Sequence, residues 1–316
     1  MAELTKQQII AMLNEDLKGE HMAIIQYLRH AYAIGEGEVA CEIEAISREE
    51  MYHFHWLSEL IVELGGKPTL ERAKLDLGGN EPADWLFRDI RAEQEAIALY
   101  KKHISLIDDP KVVRVLKRIL SDEQAHEQDF TKLMEEVKAE MPSPDVPATE
   151  PAPAPDARLV EILNQGVRHE YTVILQYLYH SHTTPHRGIG EELHWQAVNE
   201  MQHMGWLSEA VIELGAEADM EHTEVDLSAD TAAMLKADIA AERAVTMDYD
   251  AQIKEVQDEE IRELLSRIRD HEIYHDELFT EMLEELQKEN PPSEQDKPES
   301  ATGDAEIPTV GSLIGR

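Results

Sequence analysis

The chain has 316 residues, 42% of them apolar and only 5% aromatic, and its 29 basic and 66 acidic side chains leave a net charge of −37. That length allows two domains with cores of their own, while the charge excludes nucleic acid and anionic membrane surfaces, which need a basic face, and favours a cationic ligand or simply solvated acidic helix faces. The single cysteine, Cys41, excludes an intrachain disulfide and a Cys-x-x-Cys metal knuckle, and the absence of both a signal-type N-terminus and a run of ~18 apolar residues predicts a cytoplasmic, non-membrane protein.

In chain order, apolar residues at helical spacing predict four helices over about 5–34, 38–64, 82–107 and 110–139. Gly35 and Gly37, GGKP at 65–68 and DDP at 108–110 supply the breaks. Residues 142–156, PSPDVPATEPAPAPD, form a Pro-rich linker, expected to be extended and semi-rigid. Four more helices follow over about 157–182, 189–214, 230–257 and 258–287. Residues 290–316 begin with a polar stretch expected to be disordered and end in the less polar IPTVGSLIGR. Short connections make the first and second helix of each set, and the third and fourth, antiparallel hairpins; one long crossover joins the hairpins.

The two sets are copies. IxQYLxH occurs at 24–30 and 174–180, and WLSE followed by ELG occurs at 56–65 and 206–215. The chain therefore divides into a first domain at 1–141 and a second at 157–289, a tandem duplication. Each copy carries a Glu on its first helix (Glu20, Glu170), a Glu-x-x-His on its second (Glu50/His53, Glu200/His203), a Glu on its third (Glu93, Glu242) and a Glu-x-x-His on its fourth (Glu123/His126, Glu272/His275). At spacing i, i+3 both side chains leave one helical face. Four helices then bring four carboxylates and two imidazoles to one point, the donor set of a di-iron or di-manganese carboxylate centre. Four carboxylates balance two divalent cations, and the imidazoles favour iron over an all-oxygen site. A lone Glu-x-x-His in a Glu-rich helical chain is more often a surface pair; Glu191/His194, which has no counterpart in the first copy, shows that background. Tyr27 and Tyr177 lie two turns beyond the first-helix Glu, as donors to the ligands, redox-active residues or core aromatics. His30 and His180 also recur, either to help metal ingress or to cap the core.

LNEDLKGEHMAIIQYLRHA, EEMYHFHW and DEQAH in the first copy, with RHEYTVILQYLYH, NEMQH and DHEIYH in the second, resemble bacterioferritin. The fold class that follows is all-α: two tandem ferritin-like four-helix bundles joined by a Pro-rich linker, with a disordered C-terminal tail. The resemblance implies a ferroxidase centre in each copy, oxidising Fe(II) with oxygen or peroxide and storing Fe(III) mineral. Glu50 and Glu123, and likewise Glu200 and Glu272, would bridge the metals. Glu20, His53, Glu93 and His126, with Glu170, His203, Glu242 and His275, would be terminal ligands. The family also binds haem between subunits through a Met, and Met51 and Met201 match that position. One residue on from the ligand Glu is ~100° round the helix, so both methionines should face away from the di-metal centre. Haem b held between them, or a plain apolar interface, are the two readings.

The chain departs from the family in being a fusion and in lacking its short fifth helix, which argues against the family's own cage and leaves homo-oligomers open. Its end resembles the cargo-loading peptide of encapsulin nanocompartments, within 307–316. Thr309, Val310, Gly311, Ser312, Leu313, Ile314, Gly315 and Arg316 would bind the shell protein, the apolar side chains filling pockets and the glycines letting the backbone lie close. A frayed terminus is the plainer alternative. The functional expectation is a ferroxidase inside an encapsulin shell. A manganese catalase or other peroxide-handling di-metal enzyme, or a non-enzymatic iron- or haem-binding module, are the alternatives. A rubrerythrin-like four-cysteine module is excluded by the lone Cys41.

Overall fold

The computed structural model describes residues 4–35, 37–140 and 155–289. The described residues form eight helices and no strand: α1 (Lys6–Ile34), α2 (Glu38–Glu63), α3 (Pro82–Leu106), α4 (Pro110–Glu140), α5 (Ala157–Thr183), α6 (Arg187–Glu213), α7 (Thr231–Glu255) and α8 (Glu259–Glu289). None of these helices is long and apolar enough to cross a membrane. Residues 142–154 of the Pro-rich linker and the whole C-terminal tail, with Thr309 to Arg316, lie outside the described residues.

Local chemistry sets the helix ends. Thr5 and Gln8 close a reciprocal capping box at the start of α1. Asp156 and Asp230 cap α5 and α7 through their carboxylates, and Pro82 opens α3 where its missing N–H costs nothing. At the end of α2, Gly65 takes φ 85°, its N–H donates to Val62 O at 2.9 Å and the Gly66 N–H donates to Ile61 O at 2.8 Å. This is a Schellman ending, and Gly215 repeats it after α6 at φ 78°. A side chain in that left-handed conformation would be strained, which is why both copies place glycine there.

Within each half, α1 packs along α2 and α3 along α4, with α1 on α3 and α2 on α4 completing the bundle; α5 to α8 repeat the arrangement. Buried and half-buried amides on the first helix of each half hold the crossover. The Thr69 N–H donates to Asn14 Oδ1 and the Asp76 N–H to Gln26 Oε1, both at 2.8 Å, and Asn164 and Gln176 do the same for Asp219 and Asp226 at 2.8 Å.

The two halves pack on each other through α1 with α6 and α2 with α5, related by an approximate two-fold axis. Ile24, Ile25, Leu28, Phe54 and Leu57 merge with Ile174, Leu175, Leu178 and Met204 into one apolar core that crosses the junction. Near the axis the Tyr171 O–H meets His21 Nε2 at 2.7 Å, both buried, although the two occupy equivalent positions of the repeat. Arg72 reaches across to Glu221 Oε1 at 2.8 Å and donates to Met220 O at 3.2 Å.

Candidate metal centres

In the first half, α1, α2 and α4 bring Glu20, Glu50, His53 and Glu123 together, and α2, α3 and α4 bring Glu50, Glu93, Glu123 and His126 together, with ligating atoms in each group within 4.8 Å of one another. The two groups share Glu50 and Glu123. Glu170, Glu200, His203 and Glu272, then Glu200, Glu242, Glu272 and His275, repeat this in the second half. His53 Nδ1 lies 2.7 Å from Glu50 Oε2 and 2.9 Å from Glu123 Oε1, and His126 Nδ1 lies 2.9 Å from Glu50 Oε1. The corresponding distances in the second half are 2.7 Å from His203 to Glu200, 3.0 Å to Glu272, and 2.7 Å from His275 to Glu200. Thus all twelve residues singled out in the sequence converge, six in each bundle, and all are buried.

Such burial is costly for carboxylates without a cation. Burial and the neighbouring Glu50 charge push Glu20 and Glu123 up to about 8. Burial and the carboxylates around them push Glu93, Glu170 and Glu242 well above the usual range. Burial opposes the imidazolium forms, yet the surrounding carboxylates hold His126 and His275 at about 9 and His203 at about 11. Glu50 and Glu200 go the other way: burial would raise them, but the two imidazoles beside each keep them ionised. Several inward-facing atoms make no hydrogen bond despite their crowding, among them Glu50 Oε1, Glu123 Oε1 and His126 Nδ1, then Glu200 Oε1, Glu272 Oε1 and His203 Nδ1. Acceptors turned toward one another with protons left to share are what two divalent cations would satisfy, so the residues fit a di-metal group.

The tyrosines form a crossed pair. The Tyr27 O–H donates to Glu93 Oε1 at 2.7 Å, and the Tyr100 O–H donates to Glu20. In the second half Tyr177 donates to Glu242 and Tyr249 to Glu170, the latter at 2.5 Å. Tyr27 and Tyr177 are therefore donors to the lone glutamates. Tyr100 and Tyr249 escape a reading of the first helices alone, although each follows its own Glu (Glu93, Glu242) at the same two-turn spacing that singled out Tyr27.

Outer partners distinguish the centres. Asp122 Oδ2 stands 3.5 Å from His53 Nε2, and Glu49 Oε2 stands 3.1 Å from His126 Nε2. The second copy has His271 and Asn199 at those positions. His271 Nδ1 lies 2.8 Å from His203 Nε2, and Asn199 turns to donate to Gln196 Oε1 at 2.8 Å.

Met51 and Met201 both line one cleft of ≈ 320 Å³ between the halves, with Leu28, Tyr32 and Trp206 among its walls and Glu44, Arg48 and Glu209 also facing it. His30 and His180 are buried in the bundles and pair with Asp89 at 2.8 Å and Asp238 at 3.0 Å, beside the Gln26 and Gln176 that hold the crossover. Glu191 is a surface residue paired with Arg187 at 2.7 Å, as the background reading has it. Its companion His194 instead turns into a cleft between the halves.

The ferritin-like domain family matches this chain twice, over residues 10–139 and 160–289. The chain belongs to that family, as a tandem pair of its domains. Among curated relatives, the bacterioferritin of Desulfovibrio desulfuricans is 30% identical over 127 residues, 38% of this chain and 71% of that protein. The bacterioferritin of Streptomyces coelicolor is 31% identical over 125 residues, 38% of this chain and 75% of that protein. A solved structure of the Desulfovibrio desulfuricans bacterioferritin, described as showing its diiron site in different catalytic states, is 25% identical, covers 47% of this chain and 96% of that chain, and aligns with a TM-score of 0.41.

Proposed function

We propose that each half is a ferroxidase unit that oxidises Fe(II) to Fe(III) for storage as mineral. The observation that carries this reading is the twofold occurrence of one buried cage of four carboxylates and two imidazoles with acceptor atoms left unpaired. Glu50 and Glu123, and Glu200 and Glu272, are common to both ligand groups of their cages and would serve both ions; the other residues would hold one ion each. Two bound Fe(II) ions supply the electrons taken by oxygen or peroxide. The protein's part is to bind and orient: carboxylate charge offsets the cations, the crossed tyrosines fix Glu20 and Glu93, and the protons held at about 8 on Glu20 and Glu123 leave as metal enters. The net charge of −37 raises the local concentration of Fe(II).

Oxygen consumption by aerobic Fe(II) tests the proposal. His53→Ala should abolish oxidation at the first centre and spare the second, and the His53→Ala/His203→Ala protein should be inactive. Full activity in that double variant sinks the proposal, and peroxide dismutation with manganese would favour a catalase.

Two finer parts of the reading rest on less of the molecule. Met51 and Met201 offer two soft sulfurs to one cleft that mixes Leu28, Val198 and Trp206 with Glu44, Arg48 and Glu209, and the paired sulfurs are the donors that would suit haem b. A Soret band in protein made with ample haem, lost in Met51→Leu/Met201→Leu, is the expected result. The segment Thr309 to Arg316 is proposed to dock the chain in an encapsulin shell, on the strength of its apolar-and-glycine pattern after a polar tract. Deleting 308–316 should abolish co-purification with the shell protein and leave oxidation intact.

A further inference from the structure

We propose that the groove between the start of α6 and the end of α8 is a docking site for residues 307–314 of the same chain. This docking is independent of the metal chemistry. The groove has a volume of ≈ 430 Å³, in the range of about 300–1,000 Å³ typical of sites that bury a ligand. Ile189 of α6 and Leu278, Met282 and Leu286 of α8 form its apolar walls. Ile189, Leu278 and Met282 are only half-buried, so each still presents apolar surface that an entering side chain would take out of water.

The first half treats the same corner differently. There Leu133 is buried in a cluster against which Val39 and Val137 pack. Their counterparts Met282, Ile189 and Leu286 leave a groove between them, and Leu278 stands where the first half has Asp129. The second half thus extends its apolar wall at a position that the first half gives to a carboxylate, and the added surface stays partly open.

The course of the chain identifies the occupant. Helix α8 ends at Glu289, less than a turn past Leu286, and residues 290–316 continue from the rim of the groove. Helix α4 leads instead into the linker to α5, so Leu278 occurs in the half whose last helix carries this continuation. Residues 290–306 contain no large apolar side chain; Ile307, Val310, Leu313 and Ile314 then follow within eight residues, all outside the described part of the chain. At about 3.3 Å per residue, the 17 residues between span up to about 55 Å, far more than the groove requires. So tethered, the segment meets the groove at an effective concentration on the order of mM, which any partner in trans must exceed. Charge fits as well: Asp304 and Glu306 precede the segment, Arg316 follows it, and the groove presents Arg187 as well as Glu192 and Glu285. Docking in cis covers residues 309–314, the same residues proposed to engage a shell protein. A chain without a shell then keeps its apolar end covered, and the two sites compete for it.

Hydrogen exchange on the full chain reads the docking. Relative to their intrinsic rates, amides of 309–314 should exchange ~10-fold or more slowly than those of 299–306, to an extent that does not change with protein concentration. Leu278→Asp, which installs the first half's residue, should remove that protection and leave Fe(II) oxidation unchanged. Equally fast exchange of the two stretches in the unaltered chain overturns the proposal, and so does protection that survives Leu278→Asp in a folded variant. Protection that grows with protein concentration assigns the segment to a second copy and overturns it too. Met282→Cys/Leu313→Cys in a Cys41→Ser background gives an answer that does not depend on Leu278. Under mild oxidation the expected product is a disulfide within one chain; its absence, or bonding between chains only, would overturn the proposal.

Discussion

The outer partners of the ligating histidines predict that the two centres differ in metal affinity. In the first half, carboxylates of Asp122 and Glu49 face the Nε2 atoms of His53 and His126 at 3.5 and 3.1 Å. In the second, His203 faces His271 and Asn199 is engaged with Gln196. A carboxylate behind a ligating imidazole raises the basicity of the ring, and losing such a partner costs about 10–100-fold in metal affinity, or about 1.4–2.7 kcal/mol. Arg118 holds Asp122 at 2.9 Å and Glu49 is largely exposed, so both charges are partly screened and the lower end, about tenfold, is the expected gap. Anaerobic Fe(II) titration of His203→Ala reads the first centre alone, and that of His53→Ala reads the second. The first should half-saturate at about one-tenth the free metal. Glu49→Asn/Asp122→His, which gives the first centre the partners of the second, should erase the difference. Equal affinities in the two single variants, or an unchanged gap after the exchange, would refute the reasoning.

Four further outcomes follow. Tyr100→Phe removes the donor to buried Glu20 without changing shape, and should lower the stability of metal-free protein by about 1–3 kcal/mol in urea unfolding and slow oxidation at the first centre only. Loading either centre should release protons, because carboxylates held at about 8 or above are protonated at neutral pH; apparent affinity should therefore climb between pH 6 and 8, measured by proton release in weakly buffered titrations. His21 is held down to about 3, chiefly by burial, so folding favours its neutral form. Its contribution is present above the unfolded value near 6.5 and is lost as pH falls: about 2 kcal/mol by pH 5, a loss that urea unfolding of His21→Gln should not show. Phe54→Ala opens the core at the junction beside His21 and should cost about 3–5 kcal/mol by thermal or urea unfolding.

The eight helices and both cages were legible in the sequence because each rests on local, periodic information. Apolar spacing fixes the helices, and i, i+3 spacing fixes which face carries Glu50 with His53. The duplication served as an internal control, since the same six ligands recur on a second set of helices. Partnerships between helices were much less legible. Tyr100 finds Glu20 only once α3 lies against α1, and the spacing that flagged Tyr27 pointed along its own helix. His30 looked like a residue near the metal path because it shares a helix with Glu20. Its partner Asp89 sits on α3, and only packing reveals the pair. His194 has no counterpart in the repeat, and only packing shows that it turns into a cleft at the junction, where equivalent positions of the two copies meet different surroundings.

That last distinction bears on why the two halves are fused. In a homodimer, a residue near the two-fold axis meets its own copy, so no donor can be matched there to a different acceptor. Fusion removes that restriction. Tyr171 can donate to His21 although the two are equivalent positions, and Arg72 can meet Glu221 while His222 occupies the position equivalent to Arg72. The copies differ over much of their length, the junction and the outer partners of the metal ligands included, while the ligands themselves stay identical. A chain that needed only two copies of one centre could have been a homodimer. The fused sequence keeps two matching cages and uses the freedom of two unlike halves to make the junction asymmetric and to give the cages different outer partners.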